Sequence, residues 1–192
     1  MRILFLSANP VRVATLDLEE ELRNLELQLG AVKHRDQISL IAKHAVQPDD
    51  LVRHVRTEKP TVVHFTGHGT EDGIILRNDQ GSYQPVSGDS LRQFFKDRGV
   101  ELVVLNSCVS GLQAEAIVSA VPMVIGTTGA LDDEAARRFT AAFYRTLGGG
   151  DTVKEAFRDG QDAVALHGKD NVFLSLGNLG RALCFEGAHD PR

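Results

Sequence analysis

At 192 residues, with 42% hydrophobic and 24% charged residues, the chain has the composition of one ordinary globular domain with a sizeable core. Its formal net charge of −5 works against phosphate-backbone binding, which relies on clustered lysine and arginine, so no nucleic-acid partner is expected. No apolar run is long enough to cross a membrane, and Met1-Arg2-Ile3-Leu4-Phe5-Leu6 is too short for a secretory signal; a cytoplasmic protein with two free thiols, Cys108 and Cys184, is the expectation.

The opening residues 1–6 read as a first strand. Leu18, Leu22, Leu25 and Leu29 fall at i, i+4, i+7 and i+11 and predict a helix with one apolar stripe, which Asp17 can cap and Gly30 can end. A weakly patterned strand follows at residues 39–42, then a short helix after Pro48 whose positive end Asp49 and Asp50 favour. Residues 61–65 and 102–105 are short, β-branched and almost free of charge, the pattern of strands buried on both faces. Between them, residues 73–76 and 82–86 flank Asn78-Asp79-Gln80-Gly81, which has hairpin turn chemistry, and residues 90–98 predict a helix. Downstream, the pattern gives a helix at 112–120, a strand at 123–125, and a long amphipathic helix at 133–147 broken by Gly148-Gly149-Gly150. A final helix at 152–166 carries Val153, Phe157, Gly160 and Val164 on one side, and residues 172–176 and 182–185 supply the last strands. This alternation predicts an α/β fold: a doubly wound, mostly parallel sheet with helices on both faces, in a single domain over residues 1–186 with a short tail at 187–192.

Two of the buried strands end on reactive side chains. Val62–Gly69 reads VVHFTGHG and Leu102–Gly111 reads LVVLNSCVSG, so an imidazole, His68, and a thiol, Cys108, lie at strand carboxyl ends, where open α/β sheets bind ligands. A free cysteine is mostly thiol at neutral pH, and a neighbouring histidine able to take its proton would generate the attacking thiolate. Glycines beside each residue would admit a substrate backbone, and the amides of Gly69 and Cys108 are the candidate oxyanion donors. The plainer alternative is a glycine-rich turn with an incidental histidine and a buried thiol.

The order of these segments resembles the caspase-like CHAT domain, of the clan that holds caspases, separases and gingipains. The resemblance is carried by HFTGHG and LNSCVSG together with ILFLSANP, LEEELRNLELQL, PMVIGTTGALDDEAARRF and FYRTLGGGDTVKEAF. The histidine precedes the cysteine by 108 − 68 = 40 residues, the order and scale found in caspases, although the caspase QAC signature is missing. The resemblance implies a thiol endopeptidase with His68 as general base and Cys108 as nucleophile, no metal or organic cofactor, and a protein or peptide substrate. It admits separately encoded sensor or effector partners and a homodimer joined through a sheet edge. In the separase and gingipain branches the segment corresponding to Asp132-Asp133-Glu134 carries acidic pocket residues, which implies a cationic P1 side chain held by Asp133 first and Asp132 second. Acids opening a helix are equally explained by its dipole and free N–H groups, so one acid can cap while another faces the pocket.

The remaining polar residues have simpler readings. Asn106 could orient the nucleophile turn or the imidazole, or merely satisfy turn backbone groups. His64 lies four residues from His68 but has no further ligand at metal spacing, and packing within the sheet explains it better than zinc. Cys184 reads as a small buried hydrophobe, and Arg53–Lys59 as a solvated helix face. Two other classes of function compete with the peptidase: a catalytically silent caspase-like interaction or sensing module, and a phosphoacceptor or nucleotide-binding domain, which lacks any phosphate loop or Gly-x-Gly-x-x-Gly turn.

Overall fold

A computed structural model describes residues 1–10 and 18–183. Its centre is a six-stranded sheet in the order β2-β1-β3-β7-β8-β9, from β1 (Arg2–Ala8), β2 (Ser39–Lys43), β3 (Val62–Gly67), β7 (Leu102–Asn106), β8 (Met123–Thr127) and β9 (Phe173–Gly177). The first five run parallel and β9 pairs antiparallel with β8, so the sheet is doubly wound and mostly parallel. The order reverses between β1 and β3, the place where such sheets open a crevice at their carboxyl ends.

Side-chain alternation along the strands explains the three layers. Ile3, Phe5, Val62, Leu102, Val104, Met123 and Ile125 face one way and pack with α1 (Leu18–Ala31), α5 (Asp133–Gly149) and α6 (Val153–Leu166). Their neighbours Leu4, Leu6, Val63, Phe65, Val103, Leu105 and Val124 face the other way, against α2 (Pro48–Glu58), α3 (Gly88–Phe95) and α4 (Gly111–Ile117). Both faces are covered, which is why the strands read as near-continuous apolar runs. A second, three-stranded antiparallel sheet, β4 (Gly69–Thr70), β5 (Gly73–Arg77) and β6 (Tyr83–Val86), stands between β3 and α3. It contains the expected hairpin, whose turn is held by Asn78 Oδ1 accepting from the Gln80 and Ser82 amides.

The elements differ from the sequence expectations mainly at their ends. Gly30 does not stop α1, which runs on to Ala31. Gly148 and Gly149 lie inside α5, and only Gly150 ends it, at φ 101° in the left-handed region. Gly148 is small because Val32 and Ile38 press on it: a Cβ there would sit 2.9 Å from Val32. Of residues 182–185, Ala182 makes one bridge with Thr152, while Cys184 and the proposed cap Asp17 lie outside the described residues. Among the described residues no helix is long and apolar enough to cross a membrane.

Helices α5 and α6 meet where Phe139 stacks on Phe173 at 3.8 Å between centroids and on Phe143 at 5.6 Å. Gly160 faces that ring, and a Cβ there would lie 2.7 Å from it. Gly→Ala in a helix ordinarily gains about 1 kcal/mol, but overpacking a fixed ring costs about 1–3 kcal/mol. Gly160→Ala should therefore lower stability, by about 1 kcal/mol in urea denaturation; a more stable variant would show that the ring stack yields.

Candidate active site

His68 follows β3 directly and Cys108 lies two residues beyond β7; these strands are parallel neighbours whose last register pair is Thr66 with Asn106. Both residues are half-buried and line one cleft, together with Leu18 and Glu21 of α1, Leu131, and Asp133, Ala136 and Arg137 of α5. The two loops touch. A Cβ on Gly69 would stand 2.4 Å from the Cys108 carbonyl oxygen and 2.9 Å from the Ser107 hydroxyl, so only glycine lets the His68 loop lie against the Cys108 turn. The sequence suggested glycine here for substrate approach; the fold needs it first for contact between the loops.

The Cys108 turn is over-determined by hydrogen bonds. Ser110 Oγ donates to the carbonyls of Leu105 (2.9 Å) and Ser107 (3.0 Å), and the Thr127 amide donates to Ser110 Oγ at 3.0 Å. Val109 takes φ 53°, costly for a β-branched residue, and its amide donates to Gly129 at 3.0 Å. The Leu131 amide donates to Cys108 Sγ at 3.3 Å. Loop residues 128–132 after β8 thus sit on the Cys108 turn. Ser110 and Thr127 were not singled out from sequence, since serine and threonine near turns are common.

The floor of the cleft is a buried polar cluster around Glu21. Its Oε2 accepts from Thr66 Oγ1 at 2.6 Å, and its Oε1 accepts from Asn106 Nδ2 at 2.6 Å and Thr140 Oγ1 at 3.0 Å. His64 Nε2 lies 3.2 Å from the same Oε1, and His64 Nδ1 is 3.0 Å from the Tyr144 hydroxyl. His64 therefore packs within the sheet, as expected, stacked on Phe5 at 5.0 Å, but its polar partners come from α1 and α5. Burial pushes the Glu21 carboxyl up, and the His64 pairing with the Thr66 and Asn106 donors overrides this to hold it below its usual value. Burial, with the Glu21 charge adding to it, pushes the Tyr144 hydroxyl well up. The readable signal for Glu21 was an acid on the leucine stripe: it lies three residues after Leu18 and four before Leu25.

Of the other expected residues, Asn106 turns its amide to Glu21 and Thr140, while its Oδ1 and the Ser107 hydroxyl have no hydrogen-bond partner among the described residues. Asp132 is the N-cap of α5, accepting from the Ala135 amide at 2.9 Å, and it pairs with Lys169 at 3.3 Å. The Ala135 N–H and Lys169 hold its carboxyl below the usual range. Asp133 is exposed and lines the cleft, so the two acids divide the roles of cap and cleft wall. Among the described residues there is no group of three or more His, Cys, Asp or Glu side chains arranged to hold a metal.

A doubly wound sheet with a cleft at the carboxyl ends of adjacent strands is common to open α/β folds, and comparison with known proteins identifies this one as caspase-like. Residues 8–190 match the CHAT domain, and the chain belongs to that family. Two solved structures share the fold: the Arg-specific cysteine proteinase gingipain R (RgpB), and the complex of Porphyromonas gingivalis RgpB pro- and mature domains. They align with TM-scores of 0.65 and 0.64, each at 18% identity and over 95% of this chain. The chain spans about half of those chains, 48% of each. Among curated proteins, none matches the sequence.

The Glu21 cluster makes stability sensitive to acid. In the unfolded chain the carboxyl titrates near 4.5 and in the folded protein lower, so its stabilising contribution is complete above the unfolded value and is lost as pH falls through the folded one. Thermal melts below pH 4.5 should show wild-type stability falling steeply and Glu21→Gln, less stable at neutral pH, falling less; parallel acid limbs would remove Glu21 as the cause.

Proposed function

We propose that the protein is a cysteine endopeptidase working through a His68–Cys108 dyad. The observation that carries this reading is the meeting of the two residues in one cleft at the ends of neighbouring strands, with Gly69 seated on the Cys108 carbonyl. His68 takes the thiol proton, and the Cys108 thiolate attacks a peptide carbonyl. The amides of Gly69 and Cys108 receive the developing oxyanion. Collapse to a thioester expels the amine, which His68 protonates, and water attacks the thioester to release the acid and restore the thiol. Asn106 belongs to this machinery through the strand end that it ties to Glu21.

Asp133 supports a basic P1 residue, because the other acid in the cleft, Glu21, has both oxygens engaged by protein donors and Asp132 is spent on the helix cap. The cleft encloses only about 40 Å³, space for roughly three waters, which supports a resting state that must open before a lysine- or arginine-sized side chain can enter. Residues 128–132 are the wall that must move, since the Leu131 amide rests on Cys108 Sγ. The same closure favours, as a second reading, a caspase-like interaction or sensing module without turnover.

Mass-spectrometric profiling of a diverse peptide library should show cleavage by the wild-type protein that disappears in Cys108→Ala, with that variant still folded. Intact peptides from a folded wild-type protein would favour a gated enzyme or the silent module and make the search for an activating partner the next step. Asp133→Asn should lower kcat/KM for Arg- or Lys-containing peptides by about ten-fold or more with little change in Tm, because losing one charged contact to substrate costs about 1.5–3 kcal/mol; equal losses in turnover and stability would return Asp133 to a helix-end role.

A further inference from the structure

We propose that Glu21 is a positioning residue: a single buried carboxylate that sets the separation of the two strand ends carrying His68 and Cys108. The inference rests on the dyad reading above. Thr66 and Asn106 are register partners on β3 and β7, and each stands two residues before its reactive side chain. One oxygen of Glu21 binds the first at 2.6 Å and the other oxygen binds the second at 2.6 Å. All three residues are buried, so water cannot replace either bond if a strand end shifts, and charge-assisted bonds in such surroundings are short and strong.

Although Glu21 lines the cleft, it does not serve as a substrate ligand. Its Oε1 is shared by Asn106, Thr140 and the nearby His64 ring, and its Oε2 is taken by Thr66. A general structural role for the cluster would treat all these donors alike. Positioning does not: Thr66 and Asn106 belong to the strands that carry the reacting groups, whereas Thr140 donates to the same carboxylate from the middle of α5.

That asymmetry gives the test. Thr66→Val and Thr140→Val each delete one buried hydroxyl donor to Glu21 and keep the side-chain shape; Thr140→Val also removes the 3.3 Å acceptor of Asn106 Nδ2 but leaves its 2.6 Å bond to Glu21, so both should lower Tm by comparable amounts. The rate of iodoacetamide alkylation at Cys108, read by peptide mapping at a temperature where every variant is folded, separates them. Thr66→Val should slow it about ten-fold while Thr140→Val stays within about two-fold of wild type, since misplacement of about 1 Å is enough to cost that much. Equal slowing in both variants, or wild-type rates in Thr66→Val, would overturn the positioning role. His68→Ala reports on the underlying reading in the same assay: if it alkylates as fast as wild type, the dyad itself falls and the inference with it, whereas a slow His68→Ala beside a fast Thr66→Val sinks the positioning role alone.

Discussion

A carboxylate buried beneath the cleft is the constraint around which the site is arranged. Removing a charge from water is unfavourable by several kcal/mol, and the protein interior tolerates it only when the group is paired and fully hydrogen-bonded. Glu21 meets that condition with partners from three other elements: His64 and Thr66 on β3, Asn106 on β7 and Thr140 on α5. Each of these elements must therefore be in register with α1 at once. A slip of one residue in β3 would turn Thr66 and His64 to the opposite face and leave the charge alone. The cluster thus ties helix packing on one face of the sheet to the strand ends from which His68 and Cys108 emerge.

Above this floor the site combines a densely bonded turn with a wall made by the loop after β8. The Cys108 turn is pinned by Ser110 and Thr127, and its left-handed Val109 is a conformation that survives only where surrounding bonds over-determine it. The wall is different. Residues 128–132 rest on the turn through the Val109 and Leu131 amides and are anchored at their far end by Lys169, which pairs with Asp132 and Glu134. Those ion pairs are exposed and screened by solvent, so the firmer hold on the wall is at its start, where the Thr128 amide donates to the Val172 carbonyl at 2.8 Å.

The fold was legible where it depended on local pattern. Doubly covered strands leave apolar runs of the right length, and the leucine spacing of α1 and the valine–phenylalanine–glycine–valine face of α6 follow from helical period alone. Element ends were less legible, because they turn on distant packing: Gly148 looks like a helix breaker until Val32 and Ile38 are seen against it. In the candidate site, the placement of His68 and Cys108 at neighbouring strand ends could be read from the apolar runs before them, whereas which of Asp132 and Asp133 caps α5 stayed open until the Ala135 amide was seen on Asp132. The Glu21 cluster could not, since its partners lie between 43 and 119 residues away in sequence, and in the chain it looks like one acid in a run of three.

The donors around Glu21 occupy both of its oxygens, so it is not available as a ligand at the cleft floor. The other charged residues that line the cleft with His68 and Cys108 are Asp133 and Arg137 of α5, one helical turn apart. Arg137 also lines a second groove between α1 and α5, beside Glu20 and Glu134, which pair with Arg23 and with Arg138 and Lys169. A side chain entering the cleft therefore meets an acid and a base on successive turns of α5, and the charge it finds there depends on which of the two grooves Arg137 is directed toward.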